Sequence, residues 1–335
     1  MRTVTDRPWV IAALAPLPAT AWETVLGDLG AEIVLPATRD QAGVREALTR
    51  ADLVFGDWSA RLRIGAAEVA TAPHLVLVQQ PSVGVEIIDL DALAARGIAV
   101  ANAAGANAVS VAEWCLGATL AMLRDLVWAH VEVAADRWPP QQEIFRRGSS
   151  ELAGKRVGIV GFGDIGVACA RLYSALGCEV SYWSRRQRSA EEAYGVRYRD
   201  LDDLVSTSEV LVVVVALAAG TRGLLDAERI ARMLPGAYLV NAARGHIVDE
   251  SAVATAVREG RLRGAAFDVF ATEPLPADSP LHGVDGILLS PHAAGSTEQA
   301  VGNVMKVTVD NLRRAIAGEP VQAVRNGVAP LIHRR

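Results

Sequence analysis

The stretch KRVGIVGFGDIG, residues 155–166, constrains the fold more than any other part of this 335-residue chain. A β-branched apolar run leads straight into Gly161, Gly163 and Gly166, and a segment of helical period follows. Glycines so spaced between strand and helix suit a tight turn at Gly161, backbone approach of a pyrophosphate at Gly163 and close helix–strand packing at Gly166. Asp164 and Ile165 then fall in the first helical turn, where backbone amides lack intrahelical partners and favour an anion. A dinucleotide-binding turn is the reading.

Its surroundings repeat the same alternation. In the first hundred residues, β-type runs (VIAALAP, EIVLP, DLVFG, HLVLVQQ, IAVANA) alternate with segments of helical period such as AWETVLGDLG and VREALTRA. A second series runs from KRVGIVGFG through EVSYWS, EVLVVVVA, AYLVNAA, GAAFDVF and GILLSP. Strands alternating with helices predict parallel sheets covered by helices, so the fold class is α/β with two doubly wound lobes. Between the two series, SVAEWCLGATLAMLRDLVWAHVEVAADRW (110–138) reads as one long helical stretch ended by Pro139 and Pro140. The segment STEQAVGNVMKVTVDNLRRAIAGEP reads as one helix stopped near Gly318 and Pro320.

Composition removes several classes of function. A net charge of -5 gives no general pull toward nucleic acid or an anionic membrane. The apolar run VLVVVVALAA (210–219) is far below the roughly 20 residues of a membrane span and suits a strand buried on both faces. The amino-terminal MRTVTDRPWVIAALAPLPAT breaks at Pro16 and Pro18 and reads as a first strand rather than a leader. Cys115, Cys169 and Cys178 show no metal-ligand spacing and fit reduced, intracellular thiols, so no metal and a cytoplasmic location are expected.

The cofactor is read from the end of the second strand of this series. An NAD-binding unit of this type places an acidic residue there, roughly 20 residues past the glycines, to accept the ribose hydroxyls. This chain has Ser184 followed by Arg185 and Arg186. A hydroxyl and two guanidinium groups suit a 2′-phosphate that a carboxylate would repel, so NADP(H) is preferred and NAD(H) remains open.

Three further stretches, VNAARGHIVDE (240–250), FDVFATEPLP (267–276) and LSPHAAGST (289–297), stand in order after the glycine turn. With it they resemble the D-isomer-specific 2-hydroxyacid dehydrogenases, and PSVGVEIIDLDALAARGIAVAN and NAVSVAEW extend the resemblance over nearly the whole chain. It implies a flavodoxin-like substrate lobe from residues 1–105 and 297–335, and a Rossmann coenzyme lobe from 106–296. By the same resemblance Arg244 clamps the substrate carboxylate and carbonyl, His292 gives and takes the proton, and Glu273 pairs with His292. Each role suits its chemistry: a rigid guanidinium fork matches a carboxylate, and an acid beside an imidazole favours the charged, proton-donating ring.

The resemblance further implies that backbone amides of Ser82, Val83 and Gly84 hold the substrate carboxylate, S-V-G being the form seen in glyoxylate/hydroxypyruvate reductases. Asp268 is implied to bind the nicotinamide carboxamide, with Val215, Ala242, Ala243, Ala294 and Gly295 lining the cofactor and Asn107 and Val111 near the nicotinamide. The implied reaction is reduction of a small 2-keto acid to the D-2-hydroxy acid, by a homodimer. Gly56 and Asp57 stand where phosphoglycerate dehydrogenases carry a phosphate-binding arginine. Glu273 stands where formate dehydrogenases carry glutamine, and Val83 where phosphite dehydrogenases carry lysine. Trp58 offers an apolar wall that would also suit a bulkier or phosphonate-type pyruvate derivative. Two departures are left open: His246, where a smaller side chain is usual, and VALAAGT (215–221), which lacks the usual proline. Corepressors that sense NAD(P)H without catalysis share the fold and the three residues, and form the contrasting hypothesis.

Overall fold

The structure is a computed structural model describing residues 7–59 and 61–334. The chain divides into two compact units, one made of residues up to 107 and from 298 onward, the other of Ala108–Thr297. The sequence alternation is realised as two parallel sheets with helices on their faces, as the pattern of runs requires.

In the first unit β1 (Val10–Ala13), α1 (Ala19–Leu26), β2 (Glu32–Val34), α2 (Gln41–Leu48), β3 (Leu53–Phe55), α3 (Ala66–Ala70), β4 (Leu77–Gln79), α4 (Leu90–Ala95) and β5 (Ala99–Ala101) follow in turn. The strand order is β2-β1-β3-β4-β5, that of the flavodoxin-like doubly wound sheet. Both faces are buried, which is why these strands read as continuous apolar runs. Ala12, Val54, Val78 and Val100 pack on one side with Val44, Leu48 and Leu93. Ile11, Phe55 and Leu77 pack on the other with Trp22, Leu26 and Leu312. Asp40 and Asp89 start α2 and α4 by accepting from the amides of Gly43 and Ala92, as short acidic N-caps do. Residues 1–6 lie outside the described residues, so the amino-terminal reading is tested only from Val10 onward, where β1 stands.

The second unit opens with α5 (Ala108–Leu123), α6 (Leu126–Ala134) and α7 (Gln141–Arg147). Here the expectation of one long helix over 110–138 is corrected. Asp125 takes a left-handed conformation, φ 49°, and separates α5 from α6. Its carboxylate accepts from Arg147 and Arg263, at 3.2 and 3.3 Å, and these distant arginines were invisible to a periodicity argument. Next come β6 (Arg156–Val160), α8 (Asp164–Ala175), β7 (Glu179–Trp183), β8 (Arg197–Tyr198), α9 (Leu201–Thr207), β9 (Val210–Val213), α10 (Ala227–Arg232), β10 (Tyr238–Asn241), α11 (Glu250–Arg258), β11 (Gly264–Phe267) and β12 (Ile287–Leu289). α12 (Glu298–Ala317) belongs to the first unit, where Asn311 donates to the buried Gln79 side chain at 2.8 Å.

The order β12-β11-β10-β9-β6-β7-β8 is all parallel and reverses direction at β6, the arrangement of a Rossmann sheet. The glycine turn leaves the carboxyl end of β6 at that switch point. Two glycines are dictated by contact. Gly161 has φ 106°, and a Cβ there would lie 2.6 Å from the Val215 backbone after β9. At Gly166 a Cβ would lie 2.2 Å from the Gly161 carbonyl oxygen, so α8 can start this close to β6 only without a side chain. Gly166→Ala is therefore expected to push α8 off the turn and lower stability by about 1–3 kcal/mol, measured by thermal or urea unfolding. Titration of the same variant should show weakened dinucleotide binding.

Candidate active site

Three neighbouring strands deliver the candidate catalytic side chains to one edge of the second sheet. Arg244 follows β10, Glu273 lies in the loop after β11, and His292 follows β12. The carboxyl ends of these strands are on the same edge as the glycine turn after β6, because every strand of the sheet is parallel.

The closest contact is between Glu273 and His292. Glu273 Oε2 lies 2.8 Å from His292 Nδ1, and its Oε1 accepts from the Phe270 amide at 2.9 Å. An ionised glutamate makes Nδ1 the N–H donor, which leaves Nε2 as the ring nitrogen for a ligand. Nε2 makes no hydrogen bond to the described residues.

His292 sits at φ 54°, in the left-handed region where few non-glycine residues go. Asp268 sustains that turn. Its carboxylate accepts from Ser290 Oγ at 2.5 Å and from the amides of Ala293 and Ala294 at 2.8 and 2.9 Å, and its carbonyl accepts from the His292 amide at 2.7 Å. The resemblance implied a nicotinamide-carboxamide ligand here, and both carboxylate oxygens of this buried residue also accept hydrogen bonds within the protein. Its positioning role was missed, because bonds to residues 290–294 exist only once β11 and β12 are side by side.

Arg244 is in extended backbone, with its Nη1 donating to the Ala243 carbonyl at 2.7 Å. The next residue brings its loop against the loop of Glu273. A Cβ on Gly245 would stand 1.8 Å from the Phe270 carbonyl carbon, so glycine alone permits this approach. Glu250 adds a second tie, accepting from the Ala271 amide at 2.6 Å. Burial pushes the Glu250 carboxyl up, opposed by that amide and by nearby His246. The exposed His246 is thereby placed beside Glu250, a relation its spacing could not show.

The candidate dinucleotide residues form a second group. Gly163 caps α8 with open space within 4 Å of where a Cβ would stand, leaving room for a pyrophosphate against the helix amides. Asp164 and Ile165 open α8, and Val215 packs against Gly161. Ala242, Ala243 and Ala294 are buried, while Gly295 is partly exposed. The VALAAGT stretch is held by buried Thr221, whose hydroxyl donates to the Ala216 carbonyl and accepts from the Ala218 amide, both at 2.8 Å. These residues fit a bound dinucleotide.

At the end of β7, Ser184 Oγ donates to the Arg186 carbonyl at 2.6 Å, so the hydroxyl is engaged in the turn itself. Arg185 is exposed. Arg186 pairs with Glu192 at 3.0 Å. Arg188, left out of the sequence-derived site, donates to the Phe162 carbonyl inside the glycine turn at 3.3 Å and forms an ion pair with Glu192 at 3.6 Å. The Ser189 amide and then the Arg186 guanidinium hold the Glu192 carboxyl down at about 2.

In the first unit Ser82, Val83 and Gly84 follow β4. Their carbonyls accept from the Ala103 amide, Asn102 Nδ2 and Ser82 Oγ, at 3.0, 2.6 and 2.8 Å. The Val83 and Gly84 amides donate to no described residue. Gln80 spans this loop and the turn after β3, donating to Ser82 Oγ and to the Asp57 carbonyl. Trp58 is 38% exposed and meets Phe55 edge-on, with ring centroids 6.2 Å apart. The Asp57 carboxylate is buried and accepts from Ser59, Arg61 and Leu62, closing its own turn. Val111 is buried in the second unit's core, and Asn107 Oδ1 is buried with no partner among the described residues.

The profile of the D-isomer specific 2-hydroxyacid dehydrogenase NAD binding domain matches residues 116–294. An (S)-sulfolactate dehydrogenase of Chromohalobacter salexigens is 38% identical over 76% of this chain and 82% of its own. A glyoxylate reductase of Thermofilum pendens is 35% identical over 79% of this chain and 78% of its own. In fold, the chain is similar to apo D-mandelate dehydrogenase of Rhodotorula graminis, with a TM-score of 0.87 over 97% of this chain and 100% of that one, at 24% identity. With the glycine turn, the three strand-end motifs and these relatives, the chain belongs to the D-isomer specific 2-hydroxyacid dehydrogenases, oxidoreductases acting on CH–OH donors with a nicotinamide cofactor.

Proposed function

We propose that this protein is an NADP(H)-preferring reductase of small 2-keto acids of the glyoxylate or hydroxypyruvate type, giving the D-2-hydroxy acid. The observation that carries the reading is the 2.8 Å contact of Glu273 with His292 Nδ1, which turns Nε2 toward proton transfer. Bound NAD(P)H supplies the hydride. His292 Nε2 donates the proton to the carbonyl oxygen, and Glu273 stabilises the ring while it is charged. Arg244 clamps carboxylate and carbonyl with its guanidinium fork. The first unit acts as the substrate lobe and the second as the coenzyme lobe. In the substrate lobe, the Val83 and Gly84 amides, which donate to no described residue, hold the substrate carboxylate, while the carbonyls of the same loop are already satisfied.

A phosphorylated substrate is disfavoured, because this position offers a buried carboxylate, engaged by its own turn and by Arg39 at 3.5 Å, in place of an arginine. A bulkier keto acid is the second reading, supported by the sulfolactate dehydrogenase likeness and by the exposed ring of Trp58. NADP(H) preference is supported by Arg185 and Arg186 with no acidic residue at the end of β7. A homodimer is supported by the apolar side chains that α6, α7 and the chain between them expose, among them Val131, Val133, Trp138 and Phe145. The free cysteines support a reducing, cytoplasmic location, and no described helix is long and apolar enough to cross a membrane.

His292→Ala should lower kcat for keto-acid reduction by about 10²–10⁴-fold while NADPH affinity changes little, read from steady-state kinetics and fluorescence titration. Intact NADPH binding with no turnover of any 2-keto acid by the native enzyme would favour the sensor hypothesis instead. Asp268→Asn turns an amide donor toward one of the backbone N–H groups of residues 293–294. It should cost about 1–3 kcal/mol of stability in urea unfolding. Val131→Asp should shift the species seen by light scattering toward monomer.

A further inference from the structure

We propose that Glu192 limits the preference for NADP(H), by acting as a built-in anion that occupies the guanidinium groups a 2′-phosphate would need. The inference rests on the cofactor reading above and adds the residue that sets its strength.

Glu192 is held by its own turn. The Ser189 amide donates to Glu192 Oε2 at 3.0 Å, and the Glu192 amide donates to Ser189 Oγ at 3.2 Å, a reciprocal capping box. The second oxygen, Oε1, lies 3.0 Å from Arg186 and 3.6 Å from Arg188. Arg188 in turn reaches the Phe162 carbonyl, so this carboxylate bears on a guanidinium anchored within the glycine turn. Phe162 is itself stacked on Tyr182 of β7, with centroids 3.9 Å apart, and Tyr182 Oη accepts from the Arg188 amide. The arginines are thus placed beside the adenosine end of the glycine turn, with part of their charge already neutralised.

A dianionic 2′-phosphate must share these arginines with the carboxylate or displace it, whereas the ribose hydroxyls of NAD(H) need not. Glu192 therefore opposes NADP(H) and leaves NAD(H) nearly unaffected. Removing the negative charge while keeping an acceptor for the Ser189 amide isolates that effect.

The test measures dissociation constants of NADPH and NADH for the native enzyme and for Glu192→Gln, Glu192→Ala, and Glu192→Gln combined with Arg186→Ala and Arg188→Ala. Both single variants are expected to tighten NADPH roughly tenfold with NADH changed less than about twofold, since one close charge repulsion is removed. The tightening should shrink at high salt and vanish in the triple variant. Unchanged or weaker NADPH binding in both single variants overturns the proposal. Arg185→Ala and Arg186→Ala in the native background separate the two possible failures. If they weaken NADPH while the Glu192 variants do not tighten it, the cofactor reading stands and only this role falls. If they too leave NADPH affinity unchanged, both fall. Glu192→Gln, which keeps an acceptor for the Ser189 amide, should hold the melting temperature closer to native than Glu192→Ala, which also removes the cap.

Discussion

The candidate active site depends on one buried carboxylate. Asp268 extends from the end of β11, takes the Ser290 hydroxyl and the Ala293 and Ala294 amides, and through its carbonyl takes the His292 amide. Its own amide donates to the Asn241 carbonyl at the end of β10. Three adjacent strand ends are thereby tied to one residue. The left-handed conformation of His292 costs free energy, and persists because these bonds over-determine the turn that carries it.

Close backbone approach is the second constraint, and glycine supplies it at both ends of the site. Gly161 and Gly166 let α8 begin against the strands at the switch point, where the amides of its first turn lack intrahelical partners. Gly245 lets the loop after β10 lie directly on the loop after β11, which fixes Arg244 relative to Glu273. Rigid strand ends thus hold the candidate catalytic groups, a placement more precise than free loops would give.

Charge is arranged with equal economy of means. Glu273 faces His292 with one oxygen and its own loop with the other, so the acid is held before it orients the ring. On the loop after β7 the positive charges of Arg186 and Arg188 meet Glu192, and under the cofactor reading proposed above the preference becomes a competition between anions.

Much was legible in the sequence because it is local. Apolar runs of strand length between helical periods gave two parallel sheets. Strand–glycine–helix succession gave the cofactor turn, and the order of four motifs gave the family. Arg244, Glu273 and His292 could be named because the short motifs that hold them resemble those of the family. What the sequence could not decide involves partners far apart along the chain. The break at Asp125 answers to Arg147 and Arg263, the commitment of Asp268 answers to residues after the next strand, and the link of Arg188 to the glycine turn crosses from β7 to β6. Periodicity and motif spacing report what a residue does to its own segment. Only packing decides which distant donor or charge ends up within hydrogen-bonding distance, because that distance is set by strand order and not by separation along the chain.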